Sequence, residues 1–130
     1  MAWQKPYCLK GDIFMDNSAS ILNDIKKLLG INEEDTNFDT DVIIHINTIF
    51  MSLRQMGIGP ENGFSIADNS SIWTDFSEDS VLLNSVKTYI YLRVKLVFDP
   101  PLSTSTIECY NKLVSEIEWR MHSRVTYANN

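Results

Sequence analysis

VKTYIYLRVKLVFDPP, from Val86 to Pro101, can be read in two ways, and the choice decides the fold. Taken two residues at a time it alternates like a strand, with Val86, Thr88, Ile90, Leu92, Val94, Leu96 and Phe98 on one side and Lys87, Tyr89, Tyr91, Arg93 and Lys95 on the other. Taken at helical spacing, Val86, Ile90, Val94 and Val97 form one stripe that Leu82 or Leu83 extends backwards. A strand over Val86 to Phe98 would be about twice the usual length, and no second long alternating run is present to pair with it. A helix that is apolar on most sides, broken only by Lys87, Arg93 and Lys95, suits a central position among other helices. Pro100 and Pro101 then explain where it stops, because the residue before a proline is driven away from helical geometry. The helical reading is therefore adopted.

Working outward, the other segments show the same period. SASILNDIKKLLG places Ile21, Ile25, Leu28 and Leu29 on one face, with Asn17 or Ser18 as the expected N-cap and Gly30 just past the end. After the acidic stretch INEEDTNFDT, Asp39 or Thr40 is placed to cap a second helix. Its positions Val42, Ile46, Ile49, Leu53 and Met56 step by four and three, and Gly57 stops it. GIGPENGFSIADNSSIWTDF, residues 57 to 76, is too rich in Gly to be a regular helix; a long loop with a short hairpin, GFSI against IWTDF, is expected. The third helix begins near SEDSVLLNSV and runs to Phe98. Ser105 and Glu108 match a capping box for a fourth, along which Ile107, Tyr110, Val114, Ile117 and Met121 form the inner stripe. The fold class predicted is all-α: a compact four-helix bundle-like domain with a long loop or short β-hairpin between helices two and three. Residues 1–16 are an N-terminal extension, 17–126 the helical domain and 127–130 a flexible tail.

The chain has 130 residues, enough for one modest core that buries roughly two-thirds of the surface of the unfolded chain. No run approaches the ~20 apolar residues that span a bilayer, and the N-terminus lacks the features of a signal peptide, so an intracellular protein is expected. Cys8 and Cys109 lie far apart, outside any CxxC pattern, and read as plain thiols. The net charge of -6 is unevenly spread. Between Leu28 and Val86 stand ten acids and one base, Arg54, which gives -9 and leaves +3 on the flanks. That acidic half cannot supply the basic face with which a DNA-reading domain neutralises phosphates. An acidic surface that only aids solubility is the bland alternative.

The search for chemistry ends without a catalytic constellation. His45 has no Ser or Cys nucleophile at motif spacing and reads as a structural or surface histidine, and His122 reads as exposed. The acids of INEEDTNFDTD lack the central Gly and terminal Glu of an EF-hand, so neither metal nor other cofactor is expected. A helix-turn-helix across the first two helices fails because DTDVIIHINTIF opens with two acids and carries no base. An interaction protein is favoured over an enzyme. Trp73, in a polar loop, is the best single candidate for an interface, whereas Tyr89, Tyr91 and Trp119 read as core.

The order of features carries a resemblance. From about Ile21 to Arg120, LNDIKKLLGI, FDTDVIIHINTIFMSLRQMGIGP, GFSI, W-x-DF, VKTYIYLRVKLVFDPP and EIEWRM follow one another in a pattern that resembles the head-tail connector, or adaptor, proteins of tailed bacteriophages and prophages of Gram-positive bacteria. The resemblance implies a helical protomer that forms a ring, commonly of twelve copies, under the portal protein in the virion neck. It implies contact with the portal and with the next neck or tail-completion protein, and a channel through which DNA passes without sequence-specific binding. In such adaptors the C-terminal segment reaches toward the portal and a loop meets the next ring; the matching positions here are 120–130 and 57–76. The interface residues expected are Trp73, Lys87, Arg93, Lys95, Arg120, Arg124 and Tyr127. The protein would be made in the host cytoplasm and reside in the virion, with no membrane partner. A small phage regulatory protein that binds DNA or a host factor is the alternative.

Overall fold

The computed structural model describes residues 17–129, with side chains described for 17–125. The expected N-terminal extension, with Trp3, Tyr7, Cys8 and Phe14, lies outside the described residues. Five helices follow in order: α1 (Ile21–Leu28), α2 (Asp39–Gln55), α3 (Trp73–Phe76), α4 (Ser80–Phe98) and α5 (Thr104–Asn129). The four-helix expectation thus holds for the long elements, with a single turn, α3, added between the second and third.

VKTYIYLRVKLVF is helical throughout, and α4 is in contact with α1, α2 and α5. Its side chains Leu83, Val86, Tyr89, Ile90, Leu92 and Val94 are buried on more than one side, as a helix apolar nearly all round must be. Each such burial contributes about 1.5–3 kcal/mol. Val97, predicted in the stripe, is exposed. Asp79 caps α4, its Oδ1 accepting from the Val81 and Leu82 amides at 3.1 and 3.2 Å.

The N-cap of α1 is Ser20, whose Oγ accepts from the Asn23 amide at 3.2 Å, rather than Asn17 or Ser18. Pairing with a distant segment selects it. Residues 17–21 run beside 71–74, with Ser20 and Ile72 forming an antiparallel bridge, Ile21 N donating to Ser71 O at 3.0 Å and Thr74 N to Asn17 O at 3.1 Å. Ile21, Leu22 and Ile25 enter the core, but Leu28 is exposed and Lys26 takes a buried place on the inner face. The Lys26 ammonium donates to the Glu33 and Asp35 carbonyls at 3.0 and 2.7 Å and lies 2.7 Å from Asp39 Oδ1. The last contact is an ion pair that joins α1 to the start of α2. Asp39, expected as the cap of α2, instead stands in its first turn, where a carboxylate also favours the helix dipole. The acidic 31–38 loop is thereby tied to α1 through its backbone, leaving the Glu33 and Glu34 side chains outside.

The loop between α2 and α4 contains no hairpin; among the described residues no strand is present, only the Ser20–Ile72 bridge. The half of the hairpin expected at IWTDF is the helical turn α3. Asp75 Oδ2 accepts from the Ile72 amide at 3.0 Å and fixes the turn, and the three-residue spacing puts Trp73 and Phe76 on one inward side, which a strand could not do. Phe76 stacks with Phe50 and Phe64, ring centroids 5.1 and 5.5 Å away. Gly59, at φ +94°, lies under the Phe76 ring: a Cβ there would meet Phe76 Cε1 at 2.5 Å. The Asn47 amide holds the loop from α2, donating to Ile66 O at 2.9 Å and accepting from Ile66 N at 2.8 Å.

Ser103 opens α5, accepting from the Thr106 amide through its Oγ at 3.4 Å and from the Ile107 amide through its carbonyl at 3.1 Å, two residues before the capping box expected at Ser105. Ile117 and Met121 are buried, and Tyr110 and Val114 pack against the core as the inner stripe requires. The helical backbone continues to Asn129, past the expected start of fraying at residue 127.

Candidate functional site

The sequence places its interface on two aromatics, Trp73 and Tyr127, and a set of cations, and the structure sorts the described ones into different roles. Trp73 is corrected: it is wholly buried, and its Nε1 donates to Asp24 Oδ2 at 2.8 Å, joining α3 to α1. An indole with its one polar group satisfied inside the protomer presents nothing to a neighbour. Lys87 lies across the same ring, its Nζ 5.2 Å from the centroid. Lys95 bridges to Asp99 at 2.9 Å, a contact that raises its pKa, and Arg120 pairs with Glu116 one turn earlier on α5. Arg124 reaches back to Asp79, so the α4 cap and the far part of α5 are joined; the amide of Leu82 foremost, with Arg124, keeps the Asp79 carboxyl below its usual value. The Tyr127 side chain lies outside the described residues.

Arg93 differs from the other cations of that set. It donates to the Tyr89 hydroxyl at 3.1 Å and lies over the Tyr89 ring, 5.5 Å from its centroid. Tyr89 in turn donates to Glu118 Oε2 at 2.7 Å, so a buried phenol joins α4 to α5. Burial first, and then the bond to Glu118, raise the Tyr89 pKa. Among the described residues Arg93 makes no salt bridge.

Arg93 also stands at the edge of a groove of about 260 Å³ between α2, α4 and α5. His45 and Ile49 line it from α2, Val97 from α4 and Val114 from α5. Val97 at the groove is exposed, and elsewhere on α2 so are Ile44 and Met51. His45 is half-buried, with its ring 6.5 Å from that of Phe98. The adjacent hydroxyl, Thr48, donates to the Ile44 carbonyl at 2.9 Å and so is turned along its own helix. No nucleophile and base are brought together here. Among the described residues there is also no group of three or more metal-ligating side chains.

On the outer face of α5 stands Trp119, 69% exposed. Its exposure reverses the reading of Trp119 as core. The signal was available, because Trp119 falls outside the Ile107, Tyr110, Val114, Ile117, Met121 stripe and is flanked by Glu118 and Arg120. The structure thus offers an apolar groove, an exposed indole and a cation without a salt bridge among the described residues, all suited to contact with protein surfaces.

The model of the phage connector protein family matches residues 21–128. The chain belongs to that family. Searches of curated proteins and of solved structures found no match. The connector therefore has a structural role in a bacteriophage, which accords with a helical domain whose conspicuous surface features are apolar side chains and ion pairs. The match begins at the first residue of α1 and runs almost to the end of α5, so it covers every helix described above. No helix among the described residues is long and apolar enough to cross a membrane.

Proposed function

We propose that the connector is an adaptor that assembles as a ring of about twelve copies beneath the portal, in the neck of the virion, and lines the passage for DNA. The observation that carries this reading is the family match across residues 21–128. The charge arrangement supports it. Glu33, Glu34, Asp41, Glu61, Asp68, Asp75 and Glu78 are exposed, and a channel lined with carboxylates repels phosphates and lets DNA slide, where a basic lining would hold it by counterion release. The C-terminal part of α5, with exposed Arg120 and Arg124, is proposed to face the portal, and the 57–72 loop to meet the next neck or tail-completion protein. The loop is suited to that role because Asn47, Phe64 and Phe76 hold its base while Glu61, Asn62, Ser65 and residues 67–70 project.

In this role the connector acts without catalysis or cofactor. Electron microscopy of virions, with the connector located by antibody, tests the reading: a ring between portal and tail is expected, and particles that lack the protein would overturn it. A gel-shift series with duplex DNA at low salt is expected to show no binding. A salt-dependent shift would favour the regulatory alternative instead.

A further inference from the structure

We infer that the groove between α2, α4 and α5 is a socket for Trp119 of an adjacent copy of the connector. The inference rests on the ring reading and names the contact that would build the ring. A depression of about 260 Å³ with a predominantly apolar lining is large enough to take an indole, and it is bordered by exposed Val97. The same chain carries a tryptophan that is 69% exposed and has no burial partner of its own. Large aromatic side chains are the commonest anchors of protein interfaces, and they act by filling such pockets.

The two features cannot satisfy each other within one protomer. Val114 lines the groove and Trp119 is five residues further along the same helix, about 140° around its axis, so α5 itself holds them apart. A peg and a socket on different faces of one rigid body allow a heterologous contact, which repeats head to tail and closes into a ring where the rotation between neighbours permits.

Charge favours the same pairing. Arg93 at the groove makes no salt bridge among the described residues, its guanidinium resting on the Tyr89 hydroxyl. Glu116, one turn before Trp119 on the outer side of α5, has a half-exposed carboxylate that, among the described residues, pairs only with Arg120 at i+4. An exposed pair of that kind contributes little and is readily exchanged. Seating Trp119 carries Glu116 toward the groove, where Arg93 is available to it.

The test uses the full chain with Cys8→Ser and Cys109→Ser, carrying Val97→Cys at the groove and Ser123→Cys one turn beyond Trp119, treated with a short bis-maleimide under conditions where rings form. A ladder of covalent multimers up to the ring size is expected. Adding Trp119→Ala should remove the ladder and raise the concentration needed for ring formation about 30-fold or more, with Trp119→Phe restoring part of the loss. The melting temperature of the Trp119→Ala monomer should stay that of the parent, which excludes misfolding. Cross-linking that stops at dimers overturns the head-to-tail contact. Rings that form equally well with Trp119→Ala and give no ladder overturn the socket while the ring stands, whereas a wild-type chain that forms no ring with portal or in particles removes both.

Discussion

Trp73 and Trp119 are the same side chain at opposite extremes: one has no accessible surface and the other is 69% exposed. Both have polar letters beside them in sequence, Thr74 and Asp75 after the first, Glu118 and Arg120 on either side of the second. Neighbouring polarity therefore does not distinguish them. Phase does, because Trp73 shares an inward side with Phe76 at helical spacing, while Trp119 lies off the inner stripe of α5. The contrast separates the part of the chain that makes the protomer from the part left over for assembly.

The largest effect is expected at the inner end of this contrast. Trp73→Ala removes a fully buried indole and leaves a cavity under α3, a change that typically destabilises by about 3–5 kcal/mol. Thermal or urea unfolding should show it, and a loss below about 1 kcal/mol would mean that α3 does not close the core. Trp73→Phe keeps most of the volume but abandons the bond to Asp24, and should lose less.

Lys26→Met comes next. It retains the apolar stem while removing the ammonium from the Glu33 and Asp35 carbonyls and from Asp39. A loss of about 2 kcal/mol is expected, because hydrogen bonds from a charged group are stronger than neutral ones and the acceptors are left unsatisfied. Hydrogen exchange should rise in residues 33–39 more than in α5. Unchanged exchange there would show that the loop keeps its shape without the lysine.

These two sites also show what could be read in the sequence and what could not. The four long helices, the central place of VKTYIYLRVKLVF and the inner stripe of α5 follow from periodicity, which local order preserves. Ser20 as the α1 cap, α3 in place of a hairpin strand, and buried Lys26 depend on contacts between distant segments: Ile21 with Ser71, Thr74 with Asn17, Lys26 with the 33–39 loop. Lys26, four residues after Leu22 and three before Leu29, is in phase with the inner side of α1 and Lys27 is not, but the carbonyls that receive the Lys26 ammonium belong to a loop the spacing says nothing of. Surface cations were legible as cations, but their partners were not. Arg124 with Asp79 spans 45 residues, and that pair joins the cap of α4 to the far part of α5.

A smaller effect is expected where core and assembly surface meet. Tyr89→Phe removes the hydroxyl that joins Arg93 to Glu118, and about 1 kcal/mol of stability should go with it. The wild-type protein should also carry an alkaline signature. Burial and the Glu118 carboxylate raise the phenol pKa above 10.0 in the folded state, so this contribution is complete below about pH 10 and is lost as pH rises through the raised folded value. Tyr89→Phe should flatten that alkaline limb of the stability profile, and an unchanged limb would assign the titration to another group. Tyr91, whose pKa is raised by burial and by Tyr110, is the group to examine in that event.

The smallest effect on the protomer is expected at Trp119, and its smallness is what sharpens the comparison. A side chain 69% exposed buries little apolar area on folding, so Trp119→Ala should change stability by no more than about 0.5 kcal/mol. An assembly anchor and a core residue are thus predicted to separate in two measurements: Trp73→Ala lowers melting temperature whether or not the ring forms, whereas Trp119→Ala leaves the monomer's melting temperature alone and weakens the ring. The wild-type melting temperature should then depend on protein concentration, because a ligand or partner that binds only the folded state stabilises it by mass action. In Trp119→Ala that dependence should shrink toward zero. If it persists unchanged, the indole is not the contact that the ring uses, and the exposed Ile44 and Met51 on α2 become the next surface to substitute.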